Sequence, residues 1–310
     1  MPEDYYGQSE RQIAFRGDTT MRSVYEIVTE QVIKQLESGV APWRKPWRAE
    51  PPRNLVSGKM YRGINPLLLA SQGYGSQYWV SYNQASKLGG HVRAGEKSSI
   101  VTFWNIGEER MVRGADGTER KSKPFLLRYY RVFNVEQTEG LADRLGLGNA
   151  TPRVPSIDGC EAIVKGMPNA PRMEQDGRAW YRPSTDTVGM PSKSLFHSSE
   201  EYYSTLFHEL THSTGHASRV GREGIEVLNT FGSESYSKEE LIAEMGAAML
   251  CGVTGIAPAT IENSAAYLQS WINRLKGDNK LLVSAASAAQ KAADYIRGTS
   301  AKTETDSETV

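Results

Sequence analysis

The first regular pattern in the chain is SVYEIVTEQVIKQLESG, in which Val24, Ile27, Val28, Val32, Ile33 and Leu36 recur at three- and four-residue steps. That spacing lines one face of a helix, and Gly39 sits where a left-handed cap would close it. APWRKPWRAEPPRN follows and reads as loop, because its Pro, Trp and Arg fit neither a helical nor a strand period. SYNQASKLGG predicts a short helix ended by a glycine pair. SIVTFW, the segment at MVRG, and PFLLRYYRVFNV are rich in β-branched and aromatic residues and predict strands, with Asp116-Gly117 as a hairpin turn.

Residues 138–156 (TEGLADRLGLGNATPRVPS) break the pattern and read as a linker. Beyond them DGCEAIVKG predicts a helix with Asp158 as N-cap, and RAWYR and DTVGMP predict short strands. Helices are expected from about Ser198 and about Ser237, then two more to about Arg297. The expected organisation is a disordered arm over 1–20, a small α+β domain over 21–137, the linker, a mostly helical domain with a short sheet over 157–297, and a disordered polar tail over 298–310. The predicted fold class is therefore α+β, in two domains.

Composition narrows this picture. At 39% apolar, 310 residues can build real cores, yet no window approaches the ~18 apolar residues of a membrane span. The opening MPEDYYGQSERQ lacks the apolar core of a secretory signal, and Cys160 and Cys251 are too far apart to suggest a disulfide framework. A cytoplasmic protein with no membrane partner is expected. Net charge is zero overall but uneven: residues 1–136 carry 20 Lys+Arg against 14 Asp+Glu, residues 137–310 carry 16 against 22. A basic half often faces nucleic acid.

The second half contains HELTHSTGH, His208 to His216. His208 and His212 stand four residues apart, so both imidazoles can reach one ion from one helix face. Glu209 lies beside such an ion without ligating it and is the expected base for water that the ion acidifies. His216 is past Gly215, which should end the helix, and Ser218 stands where a metzincin would have its third histidine. A third ligand is better sought in SYSKEELIAEMGAAML, where Glu240 and Glu244 share a helix face. Glu240 is read as ligand and Glu244 as the carboxylate that orients a ligating histidine. The competing arrangement uses Ser237 and Glu240 as a capping box and leaves Glu244 to the metal. Zn is the expected cation, and Mn or Co would fit the same donors. The set resembles that of gluzincin peptidases. That resemblance implies a substrate-holding edge strand beside the motif helix, for which Asp186 to Pro191 is the candidate, and an oxyanion donor such as Tyr181 or Tyr236.

In the first half, Arg44, Lys45, Arg48, Arg53, Lys59 and Arg62 interleave with Trp43, Trp47 and Tyr61, opposed only by Glu50. Cations that track phosphates beside rings that stack on bases suit single-stranded nucleic acid without sequence preference. Trp79, Tyr82 and Trp104 would extend the platform. The same rings serve equally well as core anchors with arginines lying over them.

Five blocks in order (PWRKPW; NLVSGKMYRGIN; WVSYNQASKLGGHVRAGEKSSIVTFW; MPSKSLFHSSEEYYSTLFHELTHSTGH; YSKEELIAEMGAAML) resemble ArdC-type antirestriction proteins of conjugative plasmids, over about residues 22–297. The first part is also similar to the domain of TraC-type plasmid primases. The resemblance implies a single-strand-DNA-binding domain joined to a zincin-like metallopeptidase domain, protecting incoming plasmid DNA from restriction endonucleases. It implies a metal site of His208, His212 and a glutamate of EELIAE, with Glu209 as base; a peptide from a host protein is the substrate expected if the centre hydrolyses. The alternative is a protective DNA-binding protein whose metal is structural; a primase accessory role is a third reading.

Overall fold

The structure is a computed structural model and describes residues 22–44, 50–106, 110–113, 119–122, 125–141, 156–222, 225, 234–257 and 265–299. The expected arm at 1–20, most of the linker, the Asp116-Gly117 turn and the tail beyond Thr299 lie outside them.

Helix α1 (Val24–Glu37) starts at a reciprocal cap: Ser23 Oγ accepts from the Glu26 amide at 3.2 Å, and the Glu26 carboxylate accepts from the Ser23 amide at 2.6 Å. Gly39, at φ +88°, closes it as the pattern predicts. Two short helices follow, α2 (Asn65–Ala70) and α3 (Tyr82–Lys87). The first of these carries no sequence signal, since NPLLLA is too short and too evenly apolar to show a period.

The N-terminal sheet runs in the order β1 (Arg53–Asn54), β2 (Tyr78–Val80), β7 (Phe125–Asn134), β4 (Ser99–Ile106). The long pair β4–β7 is antiparallel, with Thr102 opposite Tyr129 and Trp104 opposite Leu127. Strands β3 (His91–Val92) and β8 (Thr138–Glu139) pair, as do β5 (Arg110–Arg113) and β6 (Glu119–Ser122). Leu141, beyond β8, packs with Val80 and Ala85 in a small apolar cluster.

In the second half, α4 (Ile157–Gly166) is capped by Ser156, whose Oγ accepts from the Gly159 amide at 3.0 Å, and not by Asp158. Asp158 stands in the first turn, where its charge suits the helix dipole. The three-stranded sheet has the order β10 (Trp180–Arg182), β11 (Thr187–Met190), β9 (Arg172–Gln175). The motif helix α5 (Ser199–Ser213) and the helix α6 (Glu234–Thr254) lie against one another, α7 (Ala265–Gly277) packs on α1, and α8 (Leu281–Ile296) packs on α6 and α5. Gly246 on α6 permits the contact: a Cβ there would stand 2.6 Å from Cγ2 of Thr211 on α5.

One apolar core runs through both halves. Val28, Val32, Leu36, Trp43 and Ile64 join Leu210, Leu241, Met245, Trp271 and Leu275 in a single cluster. Tyr61, Leu69, Trp79, Val101 and Val132 form a second core. No helix among the described residues is long and apolar enough to cross a membrane.

Candidate metal centre

Helix α5 begins at Ser198, whose Oγ accepts from the Glu201 amide at 3.1 Å, and ends at Ser213. His208 and His212 therefore sit one turn apart in regular helix, with ring centroids separated by 4.7 Å. Their Nε2 atoms face each other at 3.1 Å. Glu240 comes from α6, and its carboxylate oxygens lie 3.6 Å from each Nε2. Ligand bonds of ~2.0–2.1 Å in tetrahedral geometry put donor atoms about 3.4 Å apart. Two imidazole nitrogens and a carboxylate oxygen at these separations fit one divalent cation. Among the described residues this is the one group of three or more possible ligands within 4.8 Å of one another.

Glu209, between the histidines, is buried. Desolvation holds its carboxyl above the ordinary value, with Glu240 adding to the shift and the two histidines opposing it. A glutamate so placed takes up a proton closer to neutral pH than a solvated one.

Glu244 is not part of this group. Its carboxylate accepts from Arg44 Nη2 at 2.8 Å and from the Tyr267 hydroxyl at 2.5 Å. The carboxylate that meets His212 is Glu239, whose Oε1 lies 3.3 Å from His212 Nδ1. The assignment of Glu244 as orienting group or alternative ligand is thus corrected. Nor does the capping box form, because α6 starts at Glu234 and Ser237 lies inside it. Burial works to lower the His212 pKa, but Glu239, Glu240 and Glu209 outweigh it and hold it above the usual histidine range. For Glu239, burial works upward and is outweighed by His212 and Arg222, so its carboxyl stays below the ordinary value. Glu239 could have been suspected from the Glu-Glu pair in SKEELIAE. Arg222, in the loop after α5, gave no signal.

His216 lies past the helix end, its Nδ1 2.8 Å from Ser218 Oγ, outside the ligand group. The segment Asp186 to Pro191 supplies β11, which is the central strand of its sheet and entirely buried, so it is not the free edge expected. The edges are β9 and β10, and β10 also packs on α5. Tyr181 donates to Asp186 at 3.0 Å. The Tyr236 side chain is outside the described residues.

The basic, aromatic stretch resolves differently from the expected stacking groove. Trp43 is 1% exposed, with its Nε1 donating to the Tyr267 hydroxyl at 3.0 Å and its ring edge-on to Trp271. Tyr61 (7% exposed) and Trp79 (1%) lie in the second core, and burial pushes the Tyr61 hydroxyl up to about 12. Arg44 stacks over Tyr267, its Cζ 3.7 Å from the ring centroid. Trp43, Arg44 and Tyr61 therefore anchor the interior and are not available to a strand of nucleic acid. Arg62 is half-exposed and pairs with Asp294, Arg53 lies 4.0 Å from Glu50, and Lys59 is exposed. Lys45, Trp47 and Arg48 lie outside the described residues. Exposed rings occur elsewhere: Trp104 (45%), Tyr82 (48%) and Tyr129 (38%).

A helix bearing HExxH, met by a glutamate from the next long helix and flanked by a small sheet, defines a zincin-like metallopeptidase domain. Residues 160–288 match the family described as zincin-like metallopeptidase, and residues 22–133 match the N-terminal domain of anti-restriction factor ArdC. The chain belongs to the ArdC family. It is 39% identical to the antirestriction ArdC protein of plasmid R388 in its metal-free crystal structure, over 88% of this chain and 96% of that one, with a TM-score of 0.69. The Mn(II)-bound structure of that protein matches at 36% identity over 91% and 100%, with a TM-score of 0.67. Among curated proteins, it is 38% identical to a DNA primase TraC of Escherichia coli over 91% of this chain but 20% of the primase. It is also 32% identical to the uncharacterized protein y4eC of Sinorhizobium fredii, over 91% of this chain and 94% of that one. The chain thus spans about a fifth of the primase it matches and nearly all of y4eC.

Proposed function

We propose that this protein is an antirestriction factor that binds single-stranded DNA through its N-terminal half and cleaves a peptide bond at the His208–His212–Glu240 centre. The observation that carries the reading is the convergence of these three side chains beside the buried Glu209. The ArdC family membership and the similarity to the antirestriction ArdC protein of plasmid R388 support the biological role. Similarity to TraC primases supports nucleic acid as a ligand.

His208, His212 and Glu240 would hold a divalent cation, zinc by donor type, with manganese consistent with the Mn(II)-bound relative. When bound, such a cation acidifies water and polarises a carbonyl. Glu209 is the proton carrier: its carboxylate accepts the proton of the attacking water and returns it to the departing amine. Burial, which raises its pKa, suits it to both halves of that exchange. Among the described residues three possible ligands converge and no fourth joins them, which favours catalysis over a structural metal, because a catalytic centre keeps one position open. On the DNA side, Thr102, Trp104, Tyr129 and Arg131 share one face of the β4–β7 pair by register, with Trp104, Tyr129 and Arg131 exposed. Rings and a cation in that row suit an extended strand.

Replacing Glu209 by Gln tests the reading. E209Q should keep its metal and its affinity for an oligothymidine, and lose cleavage of labelled casein. Antirestriction that persists undiminished in E209Q would assign protection to DNA coverage alone.

A further inference from the structure

Arg222 makes a dense set of contacts at the end of the motif helix. Its Nε donates to Glu239 Oε2 at 2.9 Å and its Nη2 to Glu239 Oε1 at 2.5 Å, a two-pronged hold on one carboxylate. The same Nη2 donates to the Thr211 carbonyl at 2.9 Å, and Nη1 donates to Thr214 Oγ1 at 2.6 Å. The backbone closes the loop, with the Arg222 amide donating to the Gly215 carbonyl at 2.8 Å. Arg222 and Glu239 are both nearly buried, at 10% and 5% side-chain exposure. A buried ion pair of this kind is expensive to desolvate and is a weak source of stability, so a role beyond stability is the natural question.

The geometry supplies one. An ionised carboxylate can only accept hydrogen bonds. Glu239 Oε1 faces His212 Nδ1, so that nitrogen must carry the proton. With Nδ1 held by Glu239, the ring is turned so that Nε2 faces His208 and Glu240, and Nε2 is the atom that loses its proton when a cation takes it as ligand. We infer that Arg222 is a positioning residue for the metal centre: it fixes Glu239, Glu239 holds His212 through Nδ1, and the Nε2 face of the ring is thereby turned toward His208 and Glu240, where the cation would sit. The grip on the Thr211 carbonyl and on Thr214 holds the helix end that carries His212 in the same register. This inference rests on the metal reading above.

The test uses the full chain, zinc alone as the probe, and variants E239A, R222Q and R222K. Zinc affinity is measured by competition with a chromophoric chelator. The His212 proton position is read from imidazole 15N shifts of the metal-free protein in a pH series carried up to where those shifts stop changing, because its carboxylate neighbours hold His212 above the usual histidine range. Loss of a partner of this kind typically weakens metal binding 10–100-fold. E239A should fall in that range and lose the exclusive Nδ1–H signature of His212. R222Q should move the same way, and R222K, which keeps the charge but not the fork, should recover part of the loss. If R222Q does not fold, R222K against the unmodified chain carries the comparison. Zinc affinity in E239A within threefold of the unmodified chain, or an unchanged Nδ1–H signature, overturns the inference. If the unmodified chain binds no zinc, the metal reading itself fails, which is a separate outcome.

Discussion

Arg44 donates to Glu244 at 2.8 Å, joining the N-terminal half to the helix that carries Glu240 one turn earlier. The pair is nearly buried, at 12% and 14% side-chain exposure, and Tyr267 closes it by stacking under Arg44 and donating to Glu244. Removing one partner of a buried pair leaves the other charge uncompensated, at a cost of about 3 kcal/mol or more. R44A should therefore lower the denaturant midpoint markedly, and R44A/E244A should lose little more than R44A alone. Additive losses in the double variant would mean that the two side chains do not act as a pair.

The exposed rings of the β4–β7 pair give a contrast with the buried ones. W104A and Y129A should each weaken binding of an oligothymidine by about 1–2 kcal/mol, with the fold intact. W43A should do the reverse, losing stability through a cavity of indole size. R131Q should reduce the salt dependence of binding by about 0.7 in the log–log slope. Oligonucleotide titrations at several salt concentrations read all of these. Wild-type affinity in a W104A/Y129A double variant would move the DNA surface elsewhere.

Much of this architecture was legible in the order of residues. The period of Val24 to Leu36, the capped start at Ser198 and the alternation in β4 and β7 each follow from local chemistry. The His208–His212 pair was legible because helix geometry alone brings i and i+4 together. What failed needed tertiary information. Glu240 and Glu244 are equivalent by helical spacing, and only the approach of Arg44 and Tyr267 separates them. Trp43 and Tyr61 have the composition of a stacking groove and the burial of core residues, and a one-dimensional pattern does not distinguish the two. The central place of β11 depends on β9, whose exposed residues show no apolar alternation.

Gly246 marks the contact on which the centre's geometry depends, since a Cβ there meets Thr211, the residue before His212. G246A should destabilise the protein by about 1–3 kcal/mol through overpacking. It should also weaken zinc binding, because the shift moves Glu240 relative to the histidines. Unchanged stability and unchanged zinc affinity together would show that α5 and α6 are not so tightly apposed.

Asp186 offers a test against pH away from the centre. It accepts from Tyr181 and from Arg219, and at φ +47° it occupies the left-handed region that Asn also tolerates. Burial works to raise its pKa, and Arg219 and Tyr181 outweigh it, so the carboxyl sits below its ordinary value of about 3.9. A depressed carboxyl stabilises the fold above its unfolded pKa, and that contribution is lost as pH falls through the folded value. D186N should therefore be less stable than the unmodified chain at pH 6–8, with the gap closing below about pH 4. A gap that stays constant down to pH 3 would contradict the assignment.

The most direct test of the account is the metal content and affinity of four purified chains: unmodified, H212A, E240Q and E209Q. With His208, His212 and Glu240 as the ligands and Glu209 as the base, the unmodified chain and E209Q should each bind one zinc ion with equal affinity. H212A and E240Q should bind it far more weakly. Full zinc retention in E240Q, or loss of zinc in E209Q, would contradict that assignment.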